Sequence, residues 1–177
     1  DAVAGEAGGS QAAEVLRPEP EEFLDQLGVP VVGAGRENHG TVQFHGSGGI
    51  GSDNIAQLDN VAKAWALPSV RERHPAFVLV PQFSQRSANY DDPQTPHAAH
   101  AGAQLGAALE LIDVIMAGQP VDHDRIYATG FSMGGSATWL VLLARPDLFA
   151  AAMPVSAIAP DRARAGDLQH VPLLVLH

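Results

Sequence analysis

From Thr41 onward, short apolar runs alternate with segments whose apolar residues recur at helical spacing. Five runs predict strands, at residues 41–44, 77–80, 125–129, 150–155 and 172–176. Three intervening segments predict helices, over residues 55–65, 105–116 and 133–143. The first helix has good capping residues in Ser52, Asp53 and Asn54, and Pro68 is expected to end it. This alternation predicts an α/β fold, a mostly parallel sheet with helices on both faces and right-handed crossovers.

Residues 1–40 differ in composition from the rest of the chain and are rich in Ala, Gly, Glu and Pro. They predict a leader and peripheral segment, with a short helix near Phe23 and a short edge strand from Val29 to Val32. We therefore divide the chain into a segment 1–40 and a core 41–177. The chain starts at Asp1 without Met, so we interpret its N-terminus as processed or cut. Processing would fit a secreted or periplasmic protein, and the compartment otherwise stays open.

Composition excludes several classes of function. The 177 residues carry a net charge of −10 and no cysteine. Disulfide scaffolds, thiolate nucleophiles and zinc sites built on cysteine are therefore excluded. An extended phosphate-binding surface needs clustered Lys and Arg, so nucleic acid is not expected as a partner. Apolar runs are much shorter than the roughly 18 residues that a membrane span needs.

A G-x-S-x-G motif lies between the predicted strand 125–129 and the helix that follows it. Gly130 and Gly134 flank Ser132 in this motif and tolerate a strained turn. The turn would project the Ser132 hydroxyl at the positive end of the helix. The motif predicts Ser132 as a nucleophile; the alternative is an ordinary glycine-rich turn between strand and helix.

A second glycine-rich segment, His45-Gly46-Ser47-Gly48-Gly49, ends the strand 41–44 and is called the HGSGG loop below. Acyl transfer places negative charge on a carbonyl oxygen, which preorganised backbone N–H groups stabilise by about 3 kcal/mol each. We expect the N–H groups of Ser47 and Met133 to form such an oxyanion hole. His45 and Gly46 are expected to support the loop. A phosphate-binding loop is the weaker alternative, because neither of its usual glycine motifs is present.

Three segments together resemble the α/β-hydrolases: the HGSGG loop, Val121–Gly135 and Pro146–Ala151. The likeness is greatest to the group of carboxylesterases, feruloyl esterases and polyhydroxybutyrate depolymerases. It implies a serine esterase without a cofactor, with Ser132 as nucleophile, an Asp after the strand 172–176 and a His near the C-terminus. The sequence stops at His177 before either position is reached, so we expect a core truncated at its C-terminal side.

Histidines elsewhere in the chain were considered as the general base. His97 and His100 lie in the long loop 82–101, near Asp91 and Asp92, but loop histidines are ordinarily solvated. His39 precedes the first strand and should lie at the opposite edge of the sheet from Ser132. A metal at His97 and His100 would lack a carboxylate at suitable spacing, so no metal is expected.

The substrate is expected at the carboxyl edge of the sheet, where ligands of open α/β folds bind. Phe83, Tyr90 and Ile158 are the residues that could form the rim of an acyl or aryl pocket. Asp91 and Asp92 would disfavour anionic substrates, which predicts neutral short-chain or aryl esters. An equally open alternative is that Phe83 and Tyr90 only anchor the long loop to the sheet.

Two other functions stay open from the sequence. The chain could be an incomplete hydrolase fold that binds acyl ligands or partners without turnover, or a peptidase of the same fold. The strand 172–176 has almost no polar alternation, which is typical of a strand buried on both faces. If it became a sheet edge, its exposed apolar surface would favour homo-oligomers through strand pairing and poor solubility.

Overall fold

The computed structural model describes residues 39–177, so the predicted leader, its short helix and its edge strand lie outside the described residues. The strands are β1 (His39–Phe44), β2 (Ala76–Leu79), β3 (Ala88–Asn89), β4 (His100–Ala101), β5 (Ile126–Phe131) and β6 (Ala151–Val155). The α-helices are α1 (Asn60–Trp65), α2 (Pro68–Arg73), α3 (Leu105–Gly118) and α4 (Met133–Ala144). Two 3-10 helices lie at Ser47–Gly49 and Arg162–Leu168.

The main sheet has four parallel strands in the order β2-β1-β5-β6. Gln43 of β1 is in register with Thr129 of β5, which is in register with Met153 of β6. β3 and β4 form a separate antiparallel pair inside the long loop 82–101. The predicted α/β class is confirmed, because a mostly parallel sheet is flanked by helices on both faces.

The predicted fifth strand continues the sheet beyond β6 as two parallel bridges. Leu173 pairs with Ala152 and Leu176 pairs with Val155. Backbone bonds such as Leu174 N–H to the Ala152 carbonyl at 3.0 Å keep this segment alongside β6. Within residues 39–177 no element covers its outer side, and Leu174 is 58% exposed. The expected burial on both faces is therefore not found in the described part of the chain.

The core lies between the sheet and the helices α3 and α4. The buried residues of α3, from Leu105 to Met116, recur at helical spacing and pack against β1, β2 and β5. α4 is buried along most of its length and contacts β1, β5 and β6. On the opposite face, the Trp65 indole N–H of α1 donates to Gln43 Oε1 at 2.9 Å. The helix spacing predicted for 105–116 and 133–143 is thus confirmed.

The first helix is shorter than predicted, because it begins at Asn60 and not near residue 55. Residues 51–57 form bends and turns, and Ile55 is 71% exposed. Asp59, rather than a residue at 52–54, caps α1 by accepting from the N–H groups of Val61 and Ala62. Pro68 does not end a helix but begins α2, a position where its missing N–H costs nothing.

The strand order creates a switch point between β1 and β5. The chain leaves β1 toward β2 on one side, and it leaves β5 toward β6 on the other. Connections that depart in opposite directions open a crevice at the carboxyl ends of the two strands, where ligands of such sheets bind. The HGSGG loop follows β1 and Ser132 follows β5, so the fold brings both to this crevice.

Candidate active site

Ser132 occupies a strained turn between β5 and α4. Its backbone has φ 55° and ψ −119°, a conformation that residues with a Cβ rarely adopt. Such strain costs about 1–3 kcal/mol and persists only where the surroundings hold it. Here the Ser132 N–H donates to the Val155 carbonyl at 2.9 Å, and the Ser132 carbonyl accepts from Ser136 N–H at 3.1 Å. The turn is therefore fixed by β6 on one side and by α4 on the other.

The glycines of this turn are required by close backbone approach. A Cβ at Gly134 would collide with the carbonyl oxygen of Phe44, and one at Gly130 would collide with the carbonyl oxygen of Gly134. The start of α4 therefore packs directly on the end of β1. This contact places the HGSGG loop beside the Ser132 turn.

The HGSGG loop is a tight turn with free N–H groups. Gly49 N–H donates to the Gly46 carbonyl at 3.0 Å and closes the 3-10 helix. A Cβ at Gly46 would lie 3.5 Å from the Phe131 carbonyl, so the loop borders the residue before Ser132. Among residues 39–177, no protein acceptor is found for the N–H of Ser47 or of Met133. Both N–H groups are therefore unpaired within these residues.

His45 is buried, with 1% of its surface exposed, and both of its ring nitrogens are occupied. Nε2 accepts from Phe83 N–H at 3.0 Å, and Nδ1 lies 2.7 Å from the Gly46 carbonyl. This pairing requires the neutral tautomer with its proton on Nδ1. Burial lowers the pKa of His45, which favours the same neutral form. His45 thus ties the HGSGG loop to the long loop 82–101 and has no free nitrogen for a proton transfer.

The neutral state of His45 predicts an acid-sensitive fold. Because its pKa in the folded protein is lowered, the unfolded chain takes up the proton first as the pH falls through about 6.5. The free energy of unfolding should be highest above that pH and decrease below it, by at most about 1.4 kcal/mol per pH unit for one histidine. Urea unfolding at pH 7.5 and 5.5 measures this.

His45→Gln serves as the comparison for that measurement. Between pH 7.5 and 5.5, the free energy of unfolding should fall less in this variant than in the unmodified protein. Some decrease should remain, since burial and Arg125 also lower the pKa of His39. An equal loss in both proteins would contradict the assignment to His45.

The three expected rim residues have different surroundings. Phe83 is 2% exposed and packs on Phe44 and His45, with ring centroids 6.2 and 5.4 Å away, respectively. It therefore lies in the core and not on a rim, and its contacts fit the anchoring alternative. Tyr90 is half-buried and donates to Ser136 Oγ at 3.2 Å, while Ile158 is 40% exposed and its N–H donates to the same oxygen at 3.1 Å.

The Ser136 hydroxyl joins three parts of the carboxyl edge. It lies one helical turn after Ser132 in α4, and it is fully buried. Through it, α4 is linked to Tyr90 of the long loop and to Ile158 of the loop after β6. Ser136 was not among the predicted site residues, because a buried hydroxyl on an apolar helix carries no motif. The four-residue spacing from Ser132 is the only local signal.

No histidine of the described chain bonds to Ser132. His100 Nε2 lies 2.7 Å from Thr95 Oγ1 and 3.8 Å from Asp92, and His97 is exposed. His39 begins β1, at the end of the sheet opposite Ser132. Within residues 39–177, no group of three or more His, Asp or Glu side chains is arranged to hold a metal ion.

Ser132 lines neither of two cavities that residues 39–177 form. One, of about 400 Å³, lies on the face of the sheet that carries Thr41, Tyr127 and Met153. The other, of about 430 Å³, lies beside the C-terminal half of α4. Within residues 39–177, no helix combines the length and the apolar character that a membrane span requires.

The sequence and the structure were compared with known proteins. Residues 106–167 match the prolyl oligopeptidase family. No significant match was found among curated proteins. Among solved structures, a thermostable esterase is 32% identical with a TM-score of 0.74, and the alignment covers 84% of this chain and 40% of that one. The chain thus spans less than half the length of that esterase.

Two more distant structures share the fold. A carboxylesterase from Mesorhizobium loti is 19% identical with a TM-score of 0.52, covering 85% of this chain and 67% of that one. A ferulic acid esterase is 14% identical with a TM-score of 0.51, covering 78% and 65%. The described part of the chain has the fold of the α/β-hydrolases, the superfamily that its sequence motifs resemble.

Proposed function

We propose that the whole protein is a serine hydrolase that cleaves carboxylic esters through an acyl-enzyme on Ser132. The observation that carries the proposal is the strained backbone of Ser132, a non-glycine residue at φ 55° directly after β5. Strained residues of this kind cluster at functional sites, where the surrounding structure holds a conformation that is costly by itself. The esterase that is 32% identical supports the same reaction class.

In the proposed reaction, Ser132 Oγ attacks the ester carbonyl while a general base accepts the hydroxyl proton. The carbonyl oxygen becomes an oxyanion that accepts hydrogen bonds from the N–H groups of Ser47 and Met133. The base then protonates the departing alcohol, which leaves the acyl group on Ser132. Water, deprotonated by the same base, attacks the acyl carbon, and the bond from that carbon to Ser132 Oγ breaks. The base returns the proton to Ser132 Oγ as the acid leaves. The positive end of α4 stabilises the negative charge further.

The general base and its acid partner are implied by the α/β-hydrolase resemblance alone. His45 has both nitrogens occupied, and no other histidine of residues 39–177 bonds to Ser132. We therefore assign neither role to a residue of this chain. The proposal places in this chain the nucleophile and the two oxyanion donors.

Hydrolysis of p-nitrophenyl acetate by the whole protein, with and without a fluorophosphonate, tests the proposal. Turnover should be lost with time in the presence of the inhibitor and should not return on dilution, because the phosphonate stays bonded to the serine oxygen. A folded protein without turnover would contradict the esterase and favour the non-catalytic binding alternative.

A peptidase is the second candidate, because residues 106–167 match the prolyl oligopeptidase family. A paired ester and anilide with the same acyl group separates the two readings of the site. An esterase should hydrolyse the ester with a much higher kcat/KM, whereas comparable turnover of the anilide would favour the peptidase. The expected preference for neutral esters over anionic ones stays a prediction, and kcat/KM for a paired neutral and anionic ester measures it.

A further inference from the structure

Gln82, the third residue after the buried end of β2, holds the HGSGG loop from outside the Ser132 turn. Its side-chain Nε2 donates to the Gly49 carbonyl at 3.2 Å and to Asp53 Oδ1 at 2.9 Å. Its Oε1 accepts from Asn54 N–H at 2.7 Å. All three of these hydrogen bonds of the amide therefore go to residues 49–54.

The neighbouring backbone fixes the same two segments to each other. Phe83 N–H donates to His45 Nε2 at 3.0 Å, and the Phe83 carbonyl accepts from Gly51 N–H at 3.0 Å. A Cβ at Gly51 would lie 2.9 Å from Gln82 Nε2, so the amide fills the space beside that glycine. The HGSGG loop is thus held at its start through His45 and at its end through Gly49.

Asp53 supplies a fixed negative charge to this arrangement. Its Oδ1 accepts from the N–H groups of Ile55 and Ala56 as well as from Gln82. These bonds lower the pKa of Asp53 to about 2, so it is a carboxylate at neutral pH. The carboxylate orients the Gln82 amide with its NH₂ group toward Gly49 and Asp53 and with its oxygen toward Asn54.

We propose that Gln82 is a positioning residue that sets the direction of the Ser47 N–H by anchoring the Gly49 carbonyl. The inference rests on the proposed function, in which Ser47 N–H binds the oxyanion. An oxyanion donor acts mainly in the transition state, so a small rotation of the 3-10 turn should change kcat more than KM. Gln82 does not touch the reacting atoms in this account.

Gln82→Glu is the variant that separates positioning from packing. It keeps the shape and the acceptor for Asn54 N–H, but it loses the donor to Gly49 and places a carboxylate against Asp53. We expect kcat for p-nitrophenyl acetate to fall about 10- to 100-fold, while KM stays within about threefold of the value for the unmodified protein. This decrease in kcat is smaller than the decrease of about 100- to 1,000-fold that follows when one oxyanion donor is removed. Gln82→Ala, which adds no charge, should show a smaller loss in the same direction.

Gln85→Glu is the matched control, because it adds the same charge three residues away. The Gln85 side chain is exposed and makes no hydrogen bond within the described part of the chain. Its kcat should equal that of the unmodified protein. Equal kcat values for Gln82→Glu and Gln85→Glu, or a rise in KM alone, would overturn the proposal.

Amide hydrogen exchange provides a readout that does not need turnover. The Gly49 N–H, which closes the turn on the Gly46 carbonyl, should exchange at least about tenfold faster in Gln82→Ala than in Gln85→Ala. Unchanged exchange at Gly49 would overturn the positioning role. If the unmodified protein has no fluorophosphonate-sensitive turnover, the proposed function fails, and the exchange result still decides whether Gln82 holds the loop.

Discussion

Replacing Ser132 with alanine is expected to lower kcat/KM for ester hydrolysis by at least about 1,000-fold in the whole protein, or about 4 kcal/mol of transition-state stabilisation. The substitution removes the only atom proposed to bond to the acyl carbon, while the oxyanion donors and the fold are retained. Steady-state kinetics on p-nitrophenyl acetate measures the loss. A variant that retains a tenth of the activity would show that another group attacks the ester.

Ser132→Gly controls for the strain at this position. It removes the same hydroxyl, but glycine adopts φ 55° and ψ −119° without a steric penalty. Both variants should be equally inactive, and the glycine variant should unfold with a free energy about 1 kcal/mol higher than the alanine variant. A glycine variant less stable than the alanine variant would contradict the strain at Ser132.

Gly134→Ala is expected to destabilise the folded protein by about 3 kcal/mol or more. The added methyl group would collide with the Phe44 carbonyl oxygen and lie 2.8 Å from the His45 carbonyl, and backbone atoms cannot move aside as a flexible side chain can. The displacement would also separate the HGSGG loop from the Ser132 turn. Urea unfolding monitored by circular dichroism measures the free energy.

Gly106→Ala is the matched control for this substitution. Gly106 lies in α3, is exposed, and has no atom within 4 Å of an added Cβ. Alanine favours the helix over glycine by about 1 kcal/mol, so this variant should be as stable as the unmodified protein or slightly more stable. If both variants changed stability equally, the close packing of α4 on β1 would be contradicted.

The sequence predicted the sheet and the helices of the core because their apolar residues repeat at the period of each element. The stripe from Leu105 to Met116 can bury one face only as a helix, and β5 is followed at once by the G-x-S-x-G turn. The first helix was predicted too long because Ser52, Asp53 and Asn54 precede apolar residues at helical spacing, whereas the cap in the structure is Asp59. Only the structure shows that Asp53 instead stabilises a turn together with Gln82.

The hydrogen bonds that hold the loops of the candidate site in place could not be predicted in the same way. The bond from Phe83 N–H to His45 joins residues 38 positions apart, and the bond from Tyr90 to Ser136 joins residues 46 apart. Local patterns carry no information about such pairs. Phe83 illustrates the difficulty, because an aromatic residue at the start of a loop can serve the core or the rim equally well. The three-dimensional packing on Phe44 decides for the core.

Mapping a fluorophosphonate adduct by peptide mass spectrometry directly tests whether Ser132 is the nucleophile. The whole protein is labelled, digested and compared with its Ser132→Ala variant under the same conditions. We expect a single adduct on the peptide that contains Ser132, and no adduct on the same peptide of the variant. A folded protein that carries no adduct, or an adduct on another residue that persists in Ser132→Ala, would contradict it.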